Sequence, residues 1–315
     1  MSEAVAERRA AASSEGAAAI HTVNLSKRFG KTVALAGLTM TVPRGEVFGF
    51  LGPNGAGKTT SVKLLLGLLR PTAGEGSLLG RPIGDLSTRR RIGYLPELFR
   101  YQGWLSAREV LGLHCELAPL PRSSWNDEIT TALDTVGLSE RAGDRVGTFS
   151  KGMQQRLGLA AALLGEPELV FLDEPTSALD PVGRHDVREI IRGLASRGTA
   201  VFLNSHLLSE VEQLCDRVAV VDHGRVIASG TMDDLLRGTV VKIRVTGLGA
   251  GAGKLSGFGK IDDEGDHLTF TNLNPERVPE LVAQIVALGG RVYEVAPRHQ
   301  TLEDRFLQLI DDEER

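Results

Sequence analysis

Cysteine is scarce in this chain, with Cys115 and Cys215 the only two among 315 residues. Neither stands in a C-x-x-C motif or beside a group of histidines. This pattern argues against both a disulfide framework and a zinc site of the usual kind. Few thiols and no disulfide framework are typical of a reducing compartment, so we expect the protein in the cytoplasm.

Long apolar runs are also missing. No stretch approaches the roughly 18 consecutive apolar residues that a membrane-spanning helix requires. No unbroken apolar core follows Arg8 and Arg9, as a signal peptide would need. If the protein works at a membrane, we therefore expect a separate chain to supply the membrane-spanning part.

An excess of positive charge is the third absence. The 36 lysines and arginines are outnumbered by 40 aspartates and glutamates, which gives a net charge of −4. This balance offers no broad basic field, so we do not expect nucleic acid as the main partner. What is present is ordinary for a soluble folded chain, since 42% of the residues are hydrophobic and 24% are charged.

Composition and periodicity divide the chain into segments. Residues 1–19 contain almost no large apolar side chain, so they cannot offset the entropy of ordering and are predicted to form a flexible tail. Residues 20–238 predict an α/β domain, with a helical subdomain at about 97–165. Residues 239–315 have strand and helix patterns of their own and predict a small α/β accessory domain, in which the glycine-rich stretch 247–259 is predicted to be a loop.

The most informative segment is rich in glycine and ends in a lysine and two threonines. It reads Gly52-Pro53-Asn54-Gly55-Ala56-Gly57-Lys58-Thr59-Thr60 and fits the phosphate-loop pattern G-x4-G-K-[ST]. Glycines let successive backbone N–H groups point into one concavity, and the positive end of the following helix faces the same anion. Lys58 is predicted to reach the β- and γ-phosphates of a nucleotide, and Thr59 to place its hydroxyl on Mg²⁺.

The context of this loop supports a ligand. An apolar run at 47–51 enters it and a helical pattern at 60–69 leaves it, in the strand–loop–helix order that a phosphate site needs. The alternative, a glycine-rich turn that binds nothing, does not account for this order.

A pair of acidic residues follows another apolar strand pattern at 169–172. A triphosphate site needs an acid that positions the metal and a group that activates water. Asp173 is predicted to hold the Mg²⁺ shell, directly or through water, and Glu174 to polarise the attacking water as general base. Two acids after a strand more often belong to a solvated loop, but the phosphate loop in the same chain favours the catalytic interpretation.

Further motifs follow in an ordered series along the chain. The segment Phe149-Ser150-Lys151-Gly152-Met153-Gln154-Gln155-Arg156 stands shortly before the acidic pair, and it resembles the signature motif of the ATP-binding cassette (ABC) family. Ser177-Ala178-Leu179-Asp180 resembles the D-loop, His206 the switch histidine, and Phe29 the aromatic residue that stacks on adenine. The match covers residues 22 to about 235, and it implies a P-loop NTPase core of the RecA-like kind with a helical subdomain.

The resemblance implies a role for each of these residues, beside a simpler alternative. Ser150 and Gly152 would bind the γ-phosphate of a nucleotide held by a second copy of the chain, so that two chains enclose two ATP molecules; the alternative is a plain N-cap serine. His206 would contact the γ-phosphate or the attacking water, and the alternative is an ordinary loop histidine. Phe29 would stack on the base or else pack in the core. Asp180 would lie at the nucleotide-bearing dimer interface.

The sequence departs from the family pattern in two places. Glu97 stands where the family usually has glutamine, and its carboxylate would offer oxygen to Mg²⁺ while adding negative charge beside the triphosphate. The signature core reads Ser150-Lys151-Gly152-Met153-Gln154 where the family more often has Ser-Gly-Gly-Gln, and Lys151 would compensate for the added charge across the interface. Both variants resemble those of bacterial exporter ATPases with an extra C-terminal domain. The ending Thr301-Leu302-Glu303-Asp304-Arg305-Phe306-Leu307 resembles the terminal motif of that subgroup.

Together these motifs predict the ATP-binding and ATP-hydrolysing subunit of an exporter, working with ATP and Mg²⁺. The implied partners are a second copy of the chain and separately encoded membrane permease subunits, and the implied location is the cytoplasmic face of the cell membrane. The alternative is a soluble ABC ATPase without a permease, acting on nucleic acid, ribosomes or iron–sulfur assembly. A single cassette, no long heptad insertion and no zinc-type cysteines favour the transporter.

Overall fold

The computed structural model describes residues 18–118, 120–177, 179–236, 239–271, 273–299 and 301–313. Within them the chain divides into two compact units, with the division between Thr231 and Met232. The predicted tail at 1–19 lies outside the described residues except for Ala18 and Ala19, which are buried in the first strand. The predicted domain boundary at 238/239 falls next to residues 237–238, which also lie outside the described ranges.

The first unit is an α/β structure with two sheets. Its described strands are β1 (Ala18–Phe29), β2 (Thr32–Pro43), β3 (Val47–Leu51), β4 (Ala73–Leu78), β5 (Arg81–Pro82), β6 (Ile92–Leu95), β7 (Leu169–Asp173), β8 (Ala200–Asn204), β9 (Arg217–Asp222) and β10 (Arg225–Thr231). Its described helices are α1 (Lys58–Leu65), α2 (Leu86–Arg89), α3 (Ala107–Leu117), α4 (Trp125–Thr135), α5 (Lys151–Leu163), α6 (Pro181–Ser196) and α7 (Leu208–Leu214). One sheet is antiparallel with the order β2-β1-β4-β5, and the other has the order β10-β9-β3-β8-β7-β6.

The second of these sheets positions the site. Strands β9, β3, β8, β7 and β6 run parallel, and β10 pairs antiparallel at the edge. Every residue of β3, β7 and β8 is buried, as expected for parallel strands covered on both faces. Phe202 of β8 contacts Phe48, Phe50 and Phe171, with ring centroids 5.2–6.0 Å apart. Because the strands are parallel and adjacent, the segments that follow β3, β7 and β8 meet at one edge of the sheet.

The region predicted to be largely helical, at about 97–165, contains α3, α4 and α5, joined by short 3₁₀ turns. Helix α3 begins with a capping box: the Ser106 hydroxyl accepts a hydrogen bond from the Glu109 N–H at 3.2 Å, and the Glu109 carboxylate accepts one from the Ser106 N–H at 2.7 Å. Tyr101 packs between the rings of Phe99 and His114, with centroids 5.3 and 5.8 Å away. Burial raises the pKa of Tyr101 to about 12.

The second unit contains an antiparallel sheet. Its described elements are α8 (Met232–Leu235), β11 (Thr239–Thr246), β12 (Lys260–Asp263), β13 (His267–Thr271), α9 (Val278–Ala287), β14 (Arg291–His299) and α10 (Leu302–Glu313), with the sheet order β12-β13-β11-β14. The stretch predicted to be a loop at 247–259 forms a 3₁₀ helix at Gly249–Phe258, because Leu255 and Phe258 are buried in the core of this unit. Thr301 caps the start of α10, since its hydroxyl accepts a hydrogen bond from the Asp304 N–H at 3.2 Å.

Candidate active site

The phosphate loop joins the end of β3 to the start of α1. Gly57 is the N-cap of α1 and has a φ of 98°, a conformation that favours glycine. A Cβ atom on Gly52 would lie 2.2 Å from the carbonyl oxygen of Val221, so only glycine fits there. The Lys58 ammonium donates hydrogen bonds to the carbonyl oxygens of Gly52 at 2.6 Å and Pro53 at 3.1 Å. These contacts hold the lysine over the loop.

Asp173 lies at the end of β7, beside the end of β8. The Asn204 amide donates a hydrogen bond to Asp173 Oδ1 at 2.6 Å, and both side chains are buried. Burial raises the pKa of Asp173; the bond from Asn204 and the charge of Lys58 oppose this rise, and Glu97 adds to it. The Asn204 amide therefore fixes the orientation of the Asp173 carboxylate.

Glu174 and His206 form a hydrogen-bonded pair. Glu174 Oε1 accepts from the His206 N–H at 2.9 Å and lies 2.8 Å from His206 Nδ1. Glu174 Oε2 is buried and has no hydrogen-bond partner among the described residues. Burial raises the pKa of Glu174, and the contacts with His206 oppose that rise. Glu174 also has a φ of 53°, an uncommon conformation for a residue with a side chain and one that often marks a functional site.

These side chains line one cavity of about 560 Å³. Its lining residues are Thr32, Val33, Ala34, Asn54, Gly55, Gly57, Lys58, Thr59, Thr60, Glu97, Asp173, Glu174, Asn204 and His206. Burial lowers the pKa of Lys58, and the negative charges of Glu174 and Asp173 oppose that decrease. The sheet edge thus brings one ammonium group and several carboxylates together, an arrangement suited to a phosphate group accompanied by a cation.

Four lining residues were not predicted from the sequence. Asn204 stands two positions before His206 at the end of an apolar strand pattern, which was a usable signal. Thr32, Val33 and Ala34 carry no motif, and the position of β2 in the fold places them in this cavity. Phe29, predicted to stack on a base or pack in the core, is not among the lining residues and is 49% exposed, so the core alternative is wrong. The ammonium of Lys27 lies 5.1 Å from the centroid of its ring.

Three of the other predicted residues lie in a second cavity of about 410 Å³, whereas Gly52, Pro53 and Ala56 are not among the lining residues of either cavity. Ser150, Gly152 and Asp180 line it together with Lys151 and others, and among the described residues none lines both cavities. Ser150 is the N-cap of α5, because its hydroxyl accepts from the Met153 N–H at 3.2 Å. Asp180 is likewise the N-cap of α6 and accepts from the Gly183 N–H at 2.7 Å. Within one chain these groups therefore lie apart from Lys58.

The three predicted Mg²⁺ ligands lie in the first cavity. Thr59, Glu97 and Asp173 would present one hydroxyl and two carboxylates there. Oxygen ligands of this kind are the ones that Mg²⁺ prefers, so the residues fit the ion. Bound Mg²⁺ would neutralise part of the charge on a triphosphate, with these side chains as its protein ligands.

Comparisons with known proteins identify the family of this chain. A family model described as "ABC transporter" matches residues 35–177, and a model of an AAA domain matches residues 145–212. An uncharacterised ABC transporter ATP-binding protein of Nostoc sp. is 42% identical over 89% of this chain and 84% of its own length. A daunorubicin resistance ATP-binding protein of Streptomyces coeruleorubidus is 39% identical over 94% and 97%. A Nod factor export ATP-binding protein of Rhizobium sp. is 35% identical over 92% and 96%.

Solved structures give the same result. The structure of an ATP-binding subunit of an ABC transporter superposes with a TM-score of 0.63 at 32% identity, over 69% of this chain and 92% of that one. The predicted P-loop NTPase fold is therefore confirmed. Across the described ranges, no helix combines the length and the apolar character needed to cross a membrane. With its phosphate loop, acidic pair and signature segment in one α/β unit, this chain belongs to the ATP-binding subunits of ABC transporters, a family of ATPases.

Proposed function

We propose that this chain is the ATP-hydrolysing subunit of an exporter and that two copies enclose two ATP molecules between them. The observation that carries the proposal is the separation of the site into two cavities on one chain. The first holds Lys58, Asp173, Glu174 and His206, whereas Ser150 lies in the second. If all of these groups act on one nucleotide, the second cavity has to come from another copy.

The contacts within the first cavity support a different role for each of its side chains. Lys58 would bind the β- and γ-phosphates, and Thr59, Asp173 and Glu97 would hold Mg²⁺. Because Glu174 Oε1 is engaged by His206, the buried and unpartnered Oε2 is the oxygen that would accept a proton from the attacking water. The elevated pKa of Glu174 makes it a stronger base than an exposed glutamate.

Export is supported by the names of two relatives, one a Nod factor export protein and the other a daunorubicin resistance protein. The chain would bind permease subunits at the cytoplasmic face of the membrane. Leu98 and Trp104 are 86% and 72% exposed in the segment that follows Glu97. Large apolar side chains at this exposure suit a protein interface. We therefore propose this segment as a permease contact.

The shared site is tested in a Glu174→Gln background, which should accumulate an ATP-bound dimer. Adding Ser150→Ala should abolish that dimer, since the hydroxyl proposed to bind the partner's γ-phosphate is lost. Ser106→Ala is the matched control, because Ser106 caps α3 with a hydrogen bond of the same length, 3.2 Å, outside both cavities. Light scattering during size-exclusion chromatography with MgATP measures the dimer. Equal dimer loss in the two variants would mean that only helix capping matters.

The permease contact is tested with an introduced cysteine. Cys115 and Cys215 are buried, so a photo-crosslinker attached at Leu98→Cys labels this position selectively. Leu86→Cys, at a position 72% exposed in α2, serves as the control. Crosslinking in native membranes followed by mass spectrometry should identify a multi-spanning membrane protein from position 98 and not from position 86. Crosslinks only to ribosomal or other soluble proteins would favour the soluble ATPase instead.

A further inference from the structure

The turn between β9 and β10 connects two separate walls of the nucleotide cavity. The Gly224 N–H donates a hydrogen bond to the Ala56 carbonyl of the phosphate loop at 3.0 Å. The Gly224 carbonyl accepts one from the Ala36 N–H of β2 at 2.9 Å. One residue of this turn is therefore bonded to both the loop and β2 through backbone groups alone.

Only glycine fits at this position. Gly224 has a φ of 75°, and a Cβ atom there would lie 2.7 Å from both the Ala36 nitrogen and the Leu35 Cα. Gly57 makes a similar approach, since its Cβ would lie 2.5 Å from the Ala34 carbonyl oxygen. The obstructing atoms belong to the backbone, so no side-chain rotation can relieve the collision. The spacing between loop and strand is thus fixed by two glycines.

The two walls contact different parts of a nucleotide. The loop offers the backbone N–H groups and the lysine that suit phosphates. Residues 32–34 of β2 line the same cavity without a charged side chain. Val33 is 49% exposed there, and an exposed apolar side chain in a nucleotide cavity suits the ribose or the base. Ala36 is only two positions beyond this wall, so its bond to Gly224 controls where the wall lies.

We propose that Gly224 is a positioning residue that sets the distance between the phosphate loop and the nucleoside wall. The inference rests on the proposed binding of ATP in this cavity. A side chain at 224 would displace β2, because β2 is the edge strand of its sheet whereas the loop is continuous with buried β3 and with α1. ATP contacts both walls and would lose affinity. Inorganic tripolyphosphate contacts the loop alone and would retain it.

The test is calorimetric binding of MgATP and of magnesium tripolyphosphate to the full chain and to Gly224→Ala. We expect the Kd for ATP to rise at least about tenfold, consistent with the usual cost of a strained residue. The Kd for tripolyphosphate should stay within about twofold of its original value. Gly80→Ala is the matched control, because Gly80 has a φ of 78° but no atom of the described residues lies within 4 Å of where its Cβ would stand. It should leave both constants unchanged.

Equal weakening of both ligands would overturn the inference, since Gly224 would then merely support the loop. Unchanged ATP affinity would overturn it as well. If Gly224→Ala does not fold, Gly224→Asn replaces it, because asparagine tolerates a positive φ while its Cβ meets the same backbone atoms; Gly80→Asn is then the control. Failure of the unmodified chain to bind ATP would refute the proposed function itself. If the unmodified chain binds ATP and the Gly224 variant shows no selective loss of ATP affinity, only the role of Gly224 is refuted.

Discussion

Replacing Glu174 by glutamine isolates the proposed general base from the rest of the cavity. Glutamine has nearly the same shape, and its carbonyl oxygen can still accept the hydrogen bond that the His206 N–H donates to Glu174 Oε1 at 2.9 Å. The substitution places an NH₂ group at the buried, unpartnered Oε2 position, where a proton acceptor is required. The geometry is kept and the basicity is lost.

The expected magnitudes follow from the loss of the base and of its charge. Loss of a positioned general base lowers turnover by about 10²- to 10⁴-fold, or about 3–5 kcal/mol in the activation barrier. Glu174 lies outside the phosphate loop, and its negative charge opposes the burial that lowers the pKa of Lys58. Removing that charge also removes repulsion against the triphosphate, so ATP affinity should be unchanged or higher. Because burial disfavours the charged carboxylate, the variant should be at least as stable as the original chain.

Single-turnover hydrolysis, calorimetric ATP binding and thermal unfolding measure the three expectations together. Glu210→Gln is the control, because Glu210 is as buried as Glu174, each 7% exposed, but pairs with Arg188 and does not line the cavity. The control should hydrolyse ATP within about twofold of the original rate, although breaking a buried ion pair will lower its stability. Turnover of Glu174→Gln at the original rate would refute the assignment, as would a loss of ATP binding that matches the loss of turnover.

Three further predictions concern charge. Lys58→Ala should weaken ATP binding by about 10- to 100-fold, which is the value of a charge-assisted hydrogen bond. Lys63→Ala on the same helix should not weaken it, and equal ATP affinities of the two variants by calorimetry would contradict the prediction. The elevated pKa of Glu174 places the acid limb of the turnover–pH profile above the ordinary glutamate range, because the protonated acid cannot act as base, and His206→Ala should move the limb to still higher pH since the bonds from His206 lower that pKa. An unchanged acid limb in His206→Ala would show that His206 does not affect the pKa of the group that limits turnover. Hydrogen bonds from its arginine partners lower the pKa of Glu168 to about 2, so Glu168→Gln should cost up to about 1 kcal/mol of unfolding free energy at neutral pH after screening. That stabilisation is full above the ordinary glutamate pKa and is lost as the pH falls through about 2. In denaturant titrations at several pH values, the unfolding free energies of Glu168→Gln and of the original chain should therefore become equal in acid.

Much of the candidate site could be predicted because its chemistry is local in sequence. The phosphate loop carries its glycines, lysine and threonines within one segment, and Asp173 and Glu174 are adjacent. The strand–loop–helix order is equally local, and the structure places β3 at 47–51 as the pattern predicts. Ser150 and Asp180 were predicted from motifs of a few residues, and the structure places both at helix N-termini.

The remaining features depend on contacts between distant segments. Asn204 reaches Asp173 only because β8 lies between β3 and β7, although it follows both in the chain. Val33 lines the cavity because β2 passes beside the loop, and no motif marks it. The 3₁₀ helix at Gly249–Phe258 has the composition of a loop, but burial of its apolar residues orders it.

The sequence by itself determined the family, the phosphate loop and the identity of the acidic and histidine side chains, because each depends on residue type at close spacing. Only the tertiary structure decided that these side chains share one cavity and that Ser150 lies in another. The same holds for the bonds that Gly224 makes to the loop and to β2, which use backbone groups common to every residue. Such bonds have no sequence signature beyond the glycine that lets the strands approach, so strand order and packing alone specify them.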